Sequence, residues 1–238
     1  MSSFVWHDLM TTDADRACAF YGEVFGWRFE SIAMGPFTAS LITHGDARLG
    51  TIMPEPQLPA SHWMPYVRVA NATAMCAVVK QLGGSVCSAP FDVPIIGRFA
   101  IASDPQGGWF SLIEDRCAVD PGPMRFGWDE LWTGDVHAAA TFYAIVFGWT
   151  FTPGVAEART IQDGGRAIGG MRRRSLWERP AWIPSITSED VSRSQQRSLR
   201  FGAREVAPGI YADPTGARFS IKSLSPAREV EVPRQLRA

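Results

Sequence analysis

Phe4 to Met10, an apolar stretch interrupted only by His7 and Asp8, reads as a short strand. Ala17, Phe20, Tyr21, Val24 and Phe25 recur at i, i+3, i+4, i+7 and i+8, the apolar stripe of an amphipathic helix. Thr12 or Asp13 can cap its start, and Gly26 can stop it. RFESIA, FTASLITHG and ARLGTIM follow as strands. The pattern then restarts with the strand MPYVRVA and a cap at Asn71. Met75, Val78, Val79 and Leu82 form the apolar face of a second helix, which Gly83-Gly84 ends. CSAPFDV, RFAIAS and WFSLIE complete the set as strands. The order is strand, helix, three strands, twice over.

The second half of the chain repeats this order. FVWHDLMTTDADRACAFYGEVFGW (4–27) and FGWDELWTGDVHAAATFYAIVFGW (126–149) share 12 of 24 positions at an offset of 122. HWMPYV (62–67) is echoed by AWIPSI (181–186) at 119, and DPQGGWFS (104–111) by DPTGARFS (213–220) at 109. The falling offset places the lost residues between the last helix and the DPxG turn. Helices are predicted over 135–147 and roughly 189–201. Repeated units of this kind mean two tandem domains of one fold. The reading is a first domain over 1–118, a linker over 119–125, a second domain over 126–225 and a polar tail over 226–238.

Composition narrows the function classes. With 46% hydrophobic and 20% charged residues, the 238-residue chain can build a core. Its net charge of -1 offers neither the basic footprint of a nucleic-acid binder nor a polybasic membrane patch. Residues 1–119 are net -4 and residues 120–238 net +3, which either helps the halves dock or is surface drift. The N-terminus does not have the pattern of a signal peptide, and no apolar run suggests a membrane span. Cys18, Cys76, Cys87 and Cys117 form no CxxC pair and read as thiols of a reducing cytoplasm. His7, His44, His62 and His137 make no HxH or HExxH pattern, and His44 and His62 read as solvated loop residues. Nine tryptophans are the compositional excess.

The helix signature DxxxAxxFYxxVFGW within a βαβββ unit, closed by DPxG before its last strand, resembles the vicinal oxygen chelate superfamily. That group includes glyoxalase I, extradiol dioxygenases and the fosfomycin and bleomycin resistance proteins. The doubled form, with FGW closing each opening helix, looks like the two-domain glyoxalase-like proteins. The resemblance implies an α+β fold of two tandem domains. Each would consist of two βαβββ modules, forming a curved mixed β-sheet cup with helices outside. In the family's metalloenzymes, the modules' first and last strands supply His, Gln or Glu ligands to a divalent metal in the cup. The matching positions here are Trp6, about Gly50, Met64 and Ser111, then Trp128, about Gly169, Ile183 and Ser220. None is a credible ligand set. His7 and Glu114 are the tempting replacements, but strand alternation turns both out of the cup, and their counterparts Asp129 and Ser223 repeat no ligand pair. No metal and no cofactor are expected.

The same alternation puts Phe4, Trp6, Asp8 and Met10 on one face, and Phe126, Trp128, Glu130 and Trp132 on its counterpart. Trp109, Ser111 and Ile113 should join the first cup, with Met64; Arg218 and Ser220 should join the second. Asp8 and Glu130 are the candidate catalytic carboxylates. Beside apolar rings each would have a raised pKa and act as general base or recognise a cation; otherwise each accepts hydrogen bonds from a neighbouring strand. Arg98 either reads an anionic group or is a surface arginine. The expected function is metal-free binding of a small, partly aromatic organic molecule by Phe4, Trp6, Met64, Arg98, Trp109, Ser111, Trp128, Trp132 and Ser220. The alternatives are a metal-dependent glyoxalase-type lyase or dioxygenase, and a non-catalytic interaction protein with filled cups. A small molecule is the expected partner, with no nucleic acid and no membrane. The second copy can supply within one chain the partner that single-domain relatives find in a second chain, so a monomer is feasible beside a homodimer.

Overall fold

The structure is a computed structural model, and it describes residues 3–34, 37–93, 97–114 and 126–223. Cys117, the linker and the tail lie outside the described residues. The first copy runs β1 (Phe4–Thr11), α1 (Ala14–Phe25), β2 (Arg28–Met34), β3 (Phe37–His44), β4 (Ala47–Pro54), β5 (His62–Arg68), α2 (Ala72–Gln81), β6 (Ser85–Val86), β7 (Phe91–Val93), β8 (Gly97–Ser103) and β9 (Trp109–Glu114). The second runs β10 (Phe126–Thr133), α3 (Val136–Phe147), β11 (Thr150–Pro153), β12 (Arg159–Asp163), β13 (Arg166–Arg173), β14 (Ala181–Ser188), α4 (Val191–Arg200), β15 (Arg204–Ala207), β16 (Ile210–Ala212) and β17 (Arg218–Ser223). The stretch CSAPFDV (87–93) is a strand only over its last three residues, β7, and the short β6 lies just before it.

Local chemistry explains the helices. Asp13, Asn71, Asp135 and Asp190 each accept the backbone N–H three residues on, at 2.8–3.0 Å. Such N-caps are worth about 1 kcal/mol apiece. The two FGW helices stop at Gly26 and Gly148, whose φ values of 69° and 71° lie in the left-handed region that glycine tolerates.

Each copy folds into its own curled sheet, ordered β2-β3-β4-β1-β5-β9-β8-β6 and β11-β12-β13-β10-β14-β17-β16-β15. Within a sheet the modules meet along one antiparallel seam, β1 with β5 and β10 with β14. Within each module the first and last strands pair in parallel, as β1 with β4 and β14 with β17. The parallel crossings are close. A Cβ on Gly50 would lie 1.7 Å from the His7 carbonyl oxygen, and one on Gly169 would lie 2.4 Å from that of Asp129.

The convex faces of the two sheets carry the helices and dock on each other. Phe20, Tyr21 and Val24 of α1 share a core with Tyr211, Phe219 and Ile221 of the second copy. Phe142, Tyr143 and Phe147 of α3 share one with Phe110 and Leu112 of the first. The conserved-looking words of the repeat meet across this boundary. Tyr21 OH donates to Asp213 Oδ2 at 3.0 Å, and Tyr143 OH donates to Asp104 Oδ2 at 3.0 Å. Each FGW helix therefore anchors to the DPxG turn of the other copy.

One expectation about strand faces is overturned. The ladders shift register between Phe4 and Trp6, and between Phe126 and Trp128. A bulge of this kind breaks the alternation. Phe4 consequently leaves the cup and packs on Trp149 and Trp182 at 5.2 and 5.3 Å, while Phe126 packs on Trp27 and Trp63. Among the described residues no helix is long and apolar enough to cross a membrane.

Candidate functional site

The concave face of the first sheet is filled by its own side chains. Trp6, Leu41, Met64, Tyr66, Phe99 and Ile113 form one buried cluster there. Asp8 lies among them, 2% exposed. Its carboxylate accepts from Trp6 Nε1 at 2.8 Å, the Thr51 N–H at 3.2 Å, the Thr51 hydroxyl and the Tyr66 hydroxyl. Burial raises its pKa, against the opposing pull of those hydrogen bonds from Thr51, Tyr66 and Trp6. Four donors and no exposure make Asp8 a structural acceptor rather than an open general base. Ser111 is fully buried beneath the same cluster, its hydroxyl 3.6 Å from Met64 Sδ.

The second cup carries different residues at the same positions. Thr51 and Tyr66, the two hydroxyl donors to Asp8, correspond to Gly170 and Ser185. Met53, Trp109 and Ile113 correspond to Arg172, Arg218 and Lys222. Glu130 is therefore only half-buried: it accepts from Trp132 Nε1 at 2.8 Å and pairs with Arg172 at 3.1 Å. The Arg172 guanidinium lies 3.8 Å and that of Arg218 5.1 Å from the Trp132 ring centre, with Lys222 4.4 Å over Trp128. Burial lowers the pKa of Lys222, opposed by Glu130 and Asp129, and that of Arg218, opposed by Glu178. Ser220 bonds Ser185 at 2.6 Å. Arg172 escaped the sequence reading because the register of β13 against β10 is set by long-range pairing, whereas Lys222 continues the face of Arg218 and Ser220 and was legible but not singled out.

A cavity of about 730 Å³ opens where the two copies meet. Repeat equivalents line it from both sides: Gly107 and Gly216, Trp63 and Trp182, and Trp109 facing Arg218. Met10, Met64 and Ile101 extend its wall along the rim of the first cup, so the sequence-chosen Met64 and Trp109 come together here. His62 also lines it, and burial lowers its pKa, in contrast to the solvated loop histidine expected. Cys87, an exposed thiol, sits on the same wall.

The remaining candidates lie elsewhere. Phe4 is core, Trp6 is buried in the first cup, and Trp128, Trp132 and Ser220 belong to the second. Arg98 alternates with the cup-facing Phe99; it pairs with Asp92 at 3.1 Å and Glu114 at 3.9 Å, away from both cup and cavity. Glu114 caps α2 by accepting the Ala72 N–H at 2.8 Å. His7 points into the boundary between copies, where it meets Asp129.

The family's metal does not fit these residues. Gly50 and Gly169 face the strand beside them, so the cup-facing positions are Thr51 and Gly170. The set is then Trp6, Thr51, Met64 and Ser111, or Trp128, Gly170, Ile183 and Ser220, without an imidazole or carboxylate. Among the described residues no three His, Cys, Asp or Glu side chains group as a metal site.

Comparison with known proteins agrees with this architecture. Residues 3–39 match the family model described as bleomycin resistance protein-like N-terminal. The glyoxylase-named protein CFP32 of Mycobacterium bovis is 40% identical over 116 residues, covering 47% of this chain and 44% of that protein. The chain thus aligns to less than half the length of that relative. The anthracycline biosynthesis protein DnrV of Streptomyces peucetius is 25% identical over 256 residues, covering 92% of both chains. The Mn(II)-bound glyoxalase of Novosphingobium aromaticivorans has the same fold, with a TM-score of 0.66 at 14% identity, over 94% of this chain and 83% of that one. Two curled sheets of paired βαβββ modules define the class. These findings support the vicinal oxygen chelate superfamily for this chain, which is similar to bleomycin-resistance-like and glyoxylase-named proteins.

Proposed function

We propose that the chain binds a small, partly aromatic organic molecule in the cavity between its two copies, without a metal. The observation that carries this reading is the cavity wall. Trp109, Met10, Met64 and Ile101 offer a ring and soft apolar side chains, and the volume suits a drug-sized ligand. The name of the full-length relative ties it to anthracycline biosynthesis, and anthracyclines are fused-ring aromatic compounds, which supports a flat ligand. Names of other relatives favour a second reading, a metal-dependent glyoxalase-type lyase or dioxygenase, for which the cups lack donors.

Calorimetric titration with an anthracycline tests the first reading. Binding should weaken about tenfold in Trp109→Ala, from loss of one stacking and packing face. Unaltered affinity in that variant would refute the assignment. Stoichiometric metal retained after dialysis, together with turnover of the methylglyoxal–glutathione adduct, would establish the second reading instead.

A further inference from the structure

We infer that the ligand of this cavity is an organic acid, selected by Arg218, and that Glu178 occupies the acid's place on Arg218 when the cavity is empty of ligand. This rests on the cavity being the binding site, as proposed above.

The repeat shows how the second copy places a cation in the cavity where the first copy places a ring. Trp109 and Arg218 hold the same position, two residues after the DPxG turn of their copies, and both line the cavity. The first copy presents a ring and the second a cation. A flat molecule lying on Trp109, Met10 and Met64 therefore shares the cavity with a guanidinium. The lining holds one carboxylate, Glu55, against Arg179 and Arg218. Burial disfavours the charged form of His62, which leaves the arginines to dominate the field.

Arg218 is held ready for an acid. Its side chain is 20% exposed, and the Trp132 ring lies 5.1 Å from the guanidinium carbon. Nη1 donates to Glu178 Oε1 at 2.8 Å. Glu178 comes from the segment between β13 and β14, and its other oxygen, Oε2, accepts from the N–H and hydroxyl of Ser175 at 3.0 and 2.9 Å. Oε1 can thus leave Arg218 while Oε2 stays bound. The segment's backbone is held by Arg174 Nη1, which donates to the Ser175 carbonyl at 2.8 Å, and by Arg218 Nη2, which donates to the Arg179 carbonyl at 3.4 Å, while the side chains of Leu176 and Trp177 are 85% and 94% exposed. Guanidinium suits a planar carboxylate, which it can grip with two parallel hydrogen bonds.

The test compares 1-naphthoate with its neutral isostere 1-naphthamide by calorimetry at pH 7.5. The native chain should bind the acid about tenfold more tightly than the amide, the scale of one charge-assisted hydrogen bond. Arg218→Gln should lose that preference while keeping its affinity for the amide. Glu178→Gln, on an exposed segment, should strengthen the acid several-fold by removing its competitor. Arg98→Gln, a cation outside the cavity, should change neither. Equal binding of acid and amide to the native chain, or a preference that survives Arg218→Gln, overturns the inference and leaves the cavity reading standing. Failure of both probes and of the anthracycline to bind removes the cavity reading, and the inference with it.

Discussion

His7 and Asp129 hold the same position in the two copies of the repeat, 122 residues apart, and they meet: His7 Nε2 lies 2.8 Å from Asp129 Oδ1. The pair is buried at the centre of the boundary between copies, with the imidazole stacked 4.0 Å from the Phe126 ring. A position that resembles a metal-ligand neighbour in one strand is thus an internal clasp between strands β1 and β10. Removing either partner leaves the other buried without its bond. His7→Ala and Asp129→Ala should each cost about 2–3 kcal/mol in urea unfolding. The double variant should cost less than their sum, and strict additivity would show that the contact carries no coupling.

The two tyrosine contacts make a second prediction. Tyr21→Phe and Tyr143→Phe each remove one hydroxyl that joins an FGW helix to the other copy's DPxG aspartate. Trp63 Nε1, which donates to Tyr21 OH at 3.1 Å, loses its acceptor as well. Each change should cost about 1–2 kcal/mol, the penalty for one unmade buried hydrogen bond. Both should lower the midpoint of one cooperative transition. Two separate transitions in the native chain would show that the copies unfold independently.

Asp8 gives stability a pH dependence of defined sign. Its pKa is raised above 3.8 by burial, so the folded chain holds this proton more tightly than the unfolded one. Its favourable contribution is complete below the ordinary carboxylate value and is lost as pH rises through the folded value. Asp8→Asn has no such proton. The deficit of the variant should therefore shrink as pH rises from about 3.5 to 7, measured by urea unfolding at each pH. A deficit that grows with pH would contradict the assignment.

The close parallel crossings make Gly50 and Gly169 the least replaceable glycines. A methyl group at either meets backbone oxygen at 1.7 or 2.4 Å, which no rotamer relieves. Gly50→Ala and Gly169→Ala should each destabilise by more than about 3 kcal/mol or abolish soluble expression, whereas Gly127→Ala, facing a methyl of Thr187, should be milder. Thermal melts of the purified variants rank the three.

Much of the fold was legible in local pattern. The caps at Asp13 and Asn71, the helix beginning near Asp135, the stop at Gly26 and the alternation that turns His7 and Glu114 out of the cup all depend on residues close in sequence. The candidate site was legible only in part. Met64 and Trp109 line the cavity between the copies, although the sequence reading assigned both to the first cup. Phe4 was misplaced because a bulge, visible only once β1 pairs with β5, reverses its face. Thr51 was missed because the register of β4 against β1 differs by one residue from the position that the resemblance suggested, and one residue exchanges the two faces of a strand; Tyr66 shares the face of Met64, two residues away on β5, and was legible but not singled out.

The sequence by itself determined the modules, their duplication and the tryptophan positions, since helix and strand periods, caps and repeats are properties of neighbouring residues. Only the tertiary structure decided which copy's tyrosine meets which aspartate, that Asp8 is sealed while Glu130 is not, and that the cavity lies between the copies rather than in either cup. Those outcomes depend on strand register and on the docking of two sheets, which residues from 43 to 192 positions apart set together through packing.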